Sequence, residues 1–474
     1  MPANPTQILL AGTGRTDITP APGTPQGGWG AQTHERGTGA DMPLYATALA
    51  LAQGETRILI LDADSIGFDA AWTAKILDAV AARTGVPKTH IRFSCSHTHS
   101  GPNTFRLKNI TTGLDMALAY LESLPGQIAK AASQALQNLQ PVRIGAAKGE
   151  CRINRNRRVL TPTGECVVGV NEQAPADHTL HVLRLDREDR EDGSPLASIV
   201  HYACHATTAG WQCDRFTPDF PGPTRQLVEQ QLGGHCLFLQ GAAGDLGPRR
   251  GFTGDLAIYH QLGKELGLAA ASLATTIDTH PQTARFVSVM PSGANIAQYE
   301  YDPVADTPPH CRILTRTLQL PLRTFPDKEK LAAEFEALSR EVRRLKEAGD
   351  TSAAQRTQAQ ATQMGWRLEN ARLYGGQHET PWPMQIIRIG PIALVSIAGE
   401  PFSSIGQRIR EASPFPFTLV SGYSNGGFGY IPDRAAYTTG GYEVEATPFS
   451  PDAADTVVNE ALKSLNEIFQ EEQA

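Results

Sequence analysis

Residues 91–102 read I-R-F-S-C-S-H-T-H-S-G-P, and this stretch decides what kind of fold carries the chemistry. The short apolar-alternating run from Ile91 to Cys95 predicts a strand, which leads into His97 and His99 before Gly101-Pro102 turn the chain. Residues two apart on an extended strand share a face. The spacing therefore aims both imidazoles at whatever lies beyond the strand. Neutral imidazole suits zinc and related ions, so on spacing alone both histidines are candidate ligands. The remaining ligands must come from elsewhere in the chain.

Upstream, Tyr45–Ala52 and Arg57–Asp62 read as a hairpin around Gln53-Gly54-Glu55. Asp62 and Asp64 are expected to cap a helix over Ala70–Ala82. Residues 12–30, rich in glycine and proline, are expected to be irregular. Downstream, a helix over Asp115–Leu139 precedes strands at Val142–Lys148, His178–Leu185 and Ser198–His205, the last placing His201 and His205 near its end. Pro218-Asp219-Phe220-Pro221 opens a helix through Gln231, with Asp219 as its N-cap.

The strand His235–Gln240 breaks into Gly241-Ala-Ala-Gly-Asp-Leu-Gly-Pro248, a turn whose amides can approach a ligand closely. The apolar strand Pro391–Ala398 ends in Gly399-Glu400-Pro401, which offers a carboxylate at another strand end, and a helix follows over Ser403–Glu411. Phe417–Ser421 leads into the Asn425-Gly426 turn, and Tyr430, Tyr437 and Tyr442 follow in a glycine-rich segment before a closing helix over Ala453–Phe469. The expected architecture is α/β: central buried sheets flanked by helices, one domain over 1–474. Residues 326–373, with alternating charges at helical spacing, form an inserted helical pair that covers the site or makes a subunit contact.

The 474 residues have a net charge of −7 and 41% hydrophobic content, so nothing favours a nucleic-acid partner, which wants a basic surface. No apolar run approaches the ~20 residues of a membrane span. The amino terminus lacks a charged n-region and an apolar h-region. Seven cysteines, without a Cys-x-x-Cys pair, suggest neither a disulfide framework nor a zinc ribbon. Reduced thiols in the cytoplasm are the simpler account. Oligomeric state is not legible at this level.

An ordered series of pieces resembles the neutral ceramidase family of zinc-dependent amidases. The pieces are G-R-T-D-I-T-P near the start, S-H-T-H-S-G-P at 96–102, N-R-N-R-R at 154–158, H-A-T at 205–207 and T-P-D-F-P-G at 217–222. The Gln240–Pro248 turn, A-G-E at 398–400 and the tyrosine segment at 430–443 complete the series. The resemblance implies zinc held by His97, His205, Glu400 and Tyr430. It places His99 beside the metal as a catalytic residue, together with Arg157 and Tyr442. Gly28, Tyr437 and Asp245 are the expected substrate contacts. The implied reaction is hydrolysis of an amide in an N-acyl small molecule or ceramide-like lipid by metal-activated water. A zinc esterase or lactonase on the same residues, or a non-catalytic binding protein retaining the fold, are the competing readings.

Two departures stand out. The family's Gly-Asp turn continues to Ser-Pro-Asn, whereas Gly247 occupies the serine position here. Set against the resemblance, no counterpart of the family's carboxyl-terminal immunoglobulin-like domain is expected within these 474 residues.

Overall fold

The computed structural model describes residues 8–470, apart from 33, 106, 108–109, 189–193, 305–308 and 428. Residues 1–7, part of the segment read as lacking a signal sequence, lie outside that range, as do 471–474.

Four layers stack as helix, sheet, sheet, helix. The larger sheet has eight strands in the order His235–Gln240, Pro195–Tyr202, Thr179–Arg187, Gln140–Glu150, Leu10–Asp17, Tyr45–Gln53, Thr56–Ala63, Ile91–Cys95. The smaller runs Cys311–Pro321, Glu379–Ile389, Ile392–Ile397, Phe417–Ser421. Their facing surfaces interdigitate: Leu49, Leu51, Ile58, Leu183 and Leu239 pack against Ile387, Leu394 and Leu419. Strands buried on both faces read as continuous apolar runs, which is the pattern of Leu59–Leu61 and Leu237–Leu239.

The outer face of the large sheet is covered by helices Ala70–Thr84 and Leu114–Gln137 on one half and by Pro221–Leu232 and Leu256–Thr275 on the other. Helices Ser403–Ala412 and Ala453–Gln470 cover the small sheet. The α/β arrangement expected from the sequence is therefore the one found.

The charged stretch forms two antiparallel helices, Lys328–Glu347 and Thr351–Tyr374, as its spacing predicts. Asp327 and Asp350 cap them by accepting from the amides of Lys330 and Ala353.

Several local expectations give way to tertiary constraints. Residues 10–17 are not irregular but a mostly buried strand inside the large sheet. Gly12 and Gly14 are there for packing: a Cβ on either would sit 2.2 Å from a carbonyl oxygen of the helix Leu114–Gln137. Asp62 and Asp64 do not cap the helix after them. Asp69 does, accepting from the Trp72 amide, while Asp64 pairs with the buried Arg225 at 2.5 Å. Nor is Asp219 a side-chain N-cap. Phe220 holds that position, and Asp219 accepts from the Ala209 amide at 3.0 Å, pinning the loop after His205. Within the glycine-rich tyrosine segment, Ala436–Thr439 and Tyr442–Ala446 form short helices.

Within the two large sheets three strand pairs are parallel: Thr56–Ala63 with Ile91–Cys95, Pro195–Tyr202 with His235–Gln240, and Ile392–Ile397 with Phe417–Ser421. Their carboxyl ends all open at the same end of the two sheets, joined there by bridges from Ser94 to Ser424 and from Gly241 to Ser421. Carboxyl ends of parallel strands are where α/β folds build sites.

Candidate metal centre

The strand carrying the histidine pair stops at Cys95, so His97 and His99 lie beyond it, and strand alternation is not what aligns them. His97 takes φ 62, a left-handed conformation that costs a non-glycine residue of order 1–3 kcal/mol. Its amide donates to the Ser65 carbonyl at 2.9 Å. A bridge from Thr98 to Ala206 and a bond from the His99 amide to the Ala206 carbonyl (3.1 Å) then lay this turn beside the His205 segment. The tertiary clamp brings both imidazoles to one place.

Three imidazoles converge: those of His97, His99 and His205, whose ligand atoms lie within 4.8 Å of one another. Each Nδ1 faces a backbone carbonyl, of Ile66 at 2.5 Å, Gly28 at 2.9 Å and Ala243 at 2.7 Å respectively. A carbonyl only accepts, so each Nδ1 must donate, and in the neutral ring each Nε2 is left with a lone pair. Such Nδ1–carbonyl bonds commonly hold a metal-bound histidine in orientation.

The Nε2 atoms of His97 and His99 are 3.3 Å apart. Oε2 of Glu400 lies 3.1 Å from Nε2 of His205 and 3.6 Å from that of His97. Burial pushes both His97 and His205 well below the ordinary imidazole range, which disfavours a proton as the bridging charge. Acceptors facing acceptors in a buried space call for a cation. Imidazole nitrogens with a carboxylate oxygen are a donor set that zinc accepts.

Glu400 reaches the cluster through Gly399, whose φ of 81 leaves no room for a Cβ, 2.6 Å from the Gly429 carbonyl oxygen. The short strand Glu400–Pro401 then pairs in parallel with Tyr430–Ile431, setting Glu400 opposite Tyr430. Tyr430 is buried, its ring stacked 6.4 Å from that of His205 and 5.3 Å from the Arg157 guanidinium.

Arg157 stands on the strand Asn154–Leu160, its amide bonded to the Asp245 carbonyl at 2.8 Å. Its Nε donates to Glu443 at 2.9 Å, while Nη2 is buried without a hydrogen-bond partner. Burial opposes its charge, yet Tyr430 and Glu443 outweigh that and keep the guanidinium protonated. Glu443 is 1% exposed and also binds Arg158 at 2.6 Å.

The other expected contacts have structural duties. Gly28 supplies the carbonyl that orients His99, and a Cβ there would strike the His99 carbonyl oxygen at 2.2 Å. Asp245 accepts from the amide and hydroxyl of Ser403 and from Asn156, tying the glycine-rich turn to the helix Ser403–Ala412; burial raises its pKa to about 6. The Tyr437 hydroxyl donates to the Phe449 carbonyl at 2.9 Å. Tyr442 is half-buried, its ring 5.3 Å from Tyr430 and 5.2 Å from Trp366 of the inserted pair.

Two neighbours were not singled out from sequence. Tyr423, at φ 55, puts its ring 4.3 Å from that of His97. Its signal is position, two residues past the strand end Ser421. Trp29 packs 4.9 Å from His99 and edge-on to Trp211 and Phe252, forming an aromatic wall. A narrow cleft lined by Ile66, Phe68, Phe93 and Cys95 also borders His97 and Glu400.

A family model described as neutral/alkaline non-lysosomal ceramidase, N-terminal, matches residues 9–276. Neutral ceramidase B of Dictyostelium discoideum is 33% identical over 101 residues, a stretch spanning 19% of this chain and 14% of that relative. The crystal structure of neutral ceramidase from Pseudomonas aeruginosa superposes with a TM-score of 0.69 at 17% identity, covering 98% of this chain and 75% of that one. A ceramidase complexed with C2 gives 0.67, again at 17% identity, over 98% and 76%. At that identity the likeness is one of fold.

Proposed function

The chain belongs to the neutral/alkaline non-lysosomal ceramidase family, whose model covers more than half of it, and from that premise we propose a zinc-dependent amidohydrolase acting on an N-acyl, lipid-like substrate. The observation that carries the reading is the convergence of three Nδ1-anchored imidazoles and Glu400 beside the unpartnered Nη2 of Arg157. His97, His205, Glu400 and Tyr430 would hold the ion, which when bound supplies a Lewis acid and lowers the pKa of a coordinated water toward about 7.

The protein's own groups divide the remaining work. Arg157 offers its free Nη2 to the substrate carbonyl oxygen, where negative charge grows as the amide is attacked; one such donor is typically worth about 10²–10³ in rate. The departing amine needs a proton, and with Gly28 holding its Nδ1–H, the lone pair on Nε2 of His99 can take one from the attacking water and hand it to the amine. Tyr442 borders Arg157 and Tyr430 and closes that side. The aromatic wall of Trp29, Trp211 and Phe252 suits an acyl chain. Gly247 brings no hydroxyl beside Arg157, so no acyl-serine forms at that position. Seven free thiols support a reducing, cytoplasmic setting.

The test measures metal content of the purified protein and its turnover of a long-chain N-acyl amine beside the matched ester. Stoichiometric zinc with amide cleavage is the expected result. A protein without bound metal, or one that cleaves the ester alone, overturns the proposal.

A further inference from the structure

Between the helix Leu256–Thr275 and the small sheet, strands Gln282–Met290 and Ile296–Pro303 form a hairpin that, among the described residues, pairs with no other strand. Nearly every residue in it is exposed. Away from the tip, where Met290 stands opposite Ile296, the two faces differ sharply. Register places Ala284 opposite Tyr301, Phe286 opposite Tyr299 and Val289 opposite Ala297, all on one side. On the other side Arg285 pairs with Glu300 and Asp302, and Ser288 bonds Gln298. The ribbon is thus amphipathic, with its apolar side in water: Phe286 is 56% exposed, Tyr299 51% and Tyr301 64%.

We propose that this apolar face is a self-association surface, covered by the same face of a second copy of the chain. An isolated two-stranded hairpin is marginal in water, and contiguous exposed apolar patches of this kind mark interaction sites. The three aromatic rings leave roughly 350 Å² in water. With Val289 the face reaches about 430 Å², so two copies together offer about 860 Å², the low end of interface sizes, where association is weak and reversible. A two-fold axis brings identical patches together, and this face carries no charge to repel its copy.

A lipid surface fits less well. From Gln282 to Pro303 there is one arginine against one glutamate and one aspartate, which gives no attraction to anionic headgroups. The hairpin also springs from the wrong end of the molecule. Its base adjoins Thr279, bonded to Asp186, and Cys311, paired with Ile389, whereas the histidine cluster lies past Tyr202 and Ile397, at the opposite strand ends.

The experiment is sedimentation velocity over a concentration series on the full chain and on the double variant Phe286→Ser/Tyr301→Ser, with Tyr301→Ser alone as the milder change. Reversible dimerisation of the wild type, weakened at least about tenfold in the variants at unchanged amide turnover and melting temperature, is expected. A wild type that stays monomeric, a double variant that associates as tightly, or hairpin-dependent binding to phosphatidylcholine vesicles overturns the proposal.

Discussion

The carboxylate of Glu443 holds Nε of Arg157 at 2.9 Å across 286 residues of sequence, in an ion pair almost wholly removed from water. The pair fixes the guanidinium so that Nη2 stays free. Arg157→Ala should therefore lower kcat by about 10²–10³, and Glu443→Gln by about ten- to a hundredfold through misplacement alone. Arg157→Lys should not restore the rate, because an ammonium lacks the fork that binds one partner while presenting another donor. Kinetics beside metal content decide this: unchanged metal with lost turnover is the signature.

The histidines should respond unequally. His97 and His205 are fully enclosed, each with its Nε2 near Glu400, whereas His99 is half-buried and its Nε2 approaches His97. His97→Ala and His205→Ala should abolish metal binding. His99→Ala should retain metal and lose turnover by about 10²–10⁴. Equal metal loss in all three, read by mass spectrometry of the purified variants, would make His99 a ligand.

The inserted helices should matter to catalysis at a distance. Trp366 packs on Tyr442, Arg367 pairs with Glu445, and Asn370 donates to the Ala446 carbonyl at 3.1 Å, so the second inserted helix braces the segment that carries Glu443. Trp366→Ala should reduce kcat about tenfold while metal content stays unchanged. A variant with wild-type kcat refutes the bracing role.

Arg92 is a buried rivet between the sheets. At 0% exposure it donates to Ser396, Ser94, Ser421 and Ser424, at 2.7, 2.8, 2.6 and 3.2 Å. Asp62 lies beside it, its carboxyl pushed up to about 8 by burial. Arg92→Met should cost about 1–3 kcal/mol, since four buried hydroxyls lose a donor. Urea melts at neutral pH measure it.

Acid should destabilise the fold through His201. Burial drops its pKa to about 4, its Nε2 donating to the Val420 carbonyl at 2.9 Å; the neighbouring His181 is shifted down as well. The unfolded chain takes up the His201 proton below pH 6.5 and the folded one does not until pH nears 4. The His201 contribution is therefore complete above 6.5 and falls by up to about 1.4 kcal/mol per pH unit as pH drops toward 4, and the lowered His181 acts in the same direction. Melting temperatures at pH 7 and 5 should diverge less in His201→Gln than in the wild type.

Much of this was legible in the chain. Apolar runs such as Ile392–Ile397 and Leu237–Leu239, and the charge pattern of 328–374, announce their elements because burial and helical spacing leave direct marks on composition. Gly12 and Gly14 misled, since a glycine chosen for close helix packing looks the same in sequence as one chosen for a turn. Asp62, Asp64 and Asp219 misled for a similar reason. A carboxylate before a helix satisfies the capping rule, and only the arrival of Arg225 or the Ala209 amide shows what it binds.

At the site, the sequence by itself determined which residue types are present and that several stand just past strand ends: His97, His205 and Glu400. Tertiary structure alone decided how they meet. The left-handed turn at His97, the Glu400–Tyr430 pairing and the carbonyls that orient each imidazole belong to segments far apart in the chain. Glu443, Tyr423 and Trp366 enter only through such contacts. Strand periodicity is a local property that one segment records, whereas the direction of a lone pair depends on a carbonyl supplied by another segment, and no spacing rule encodes that.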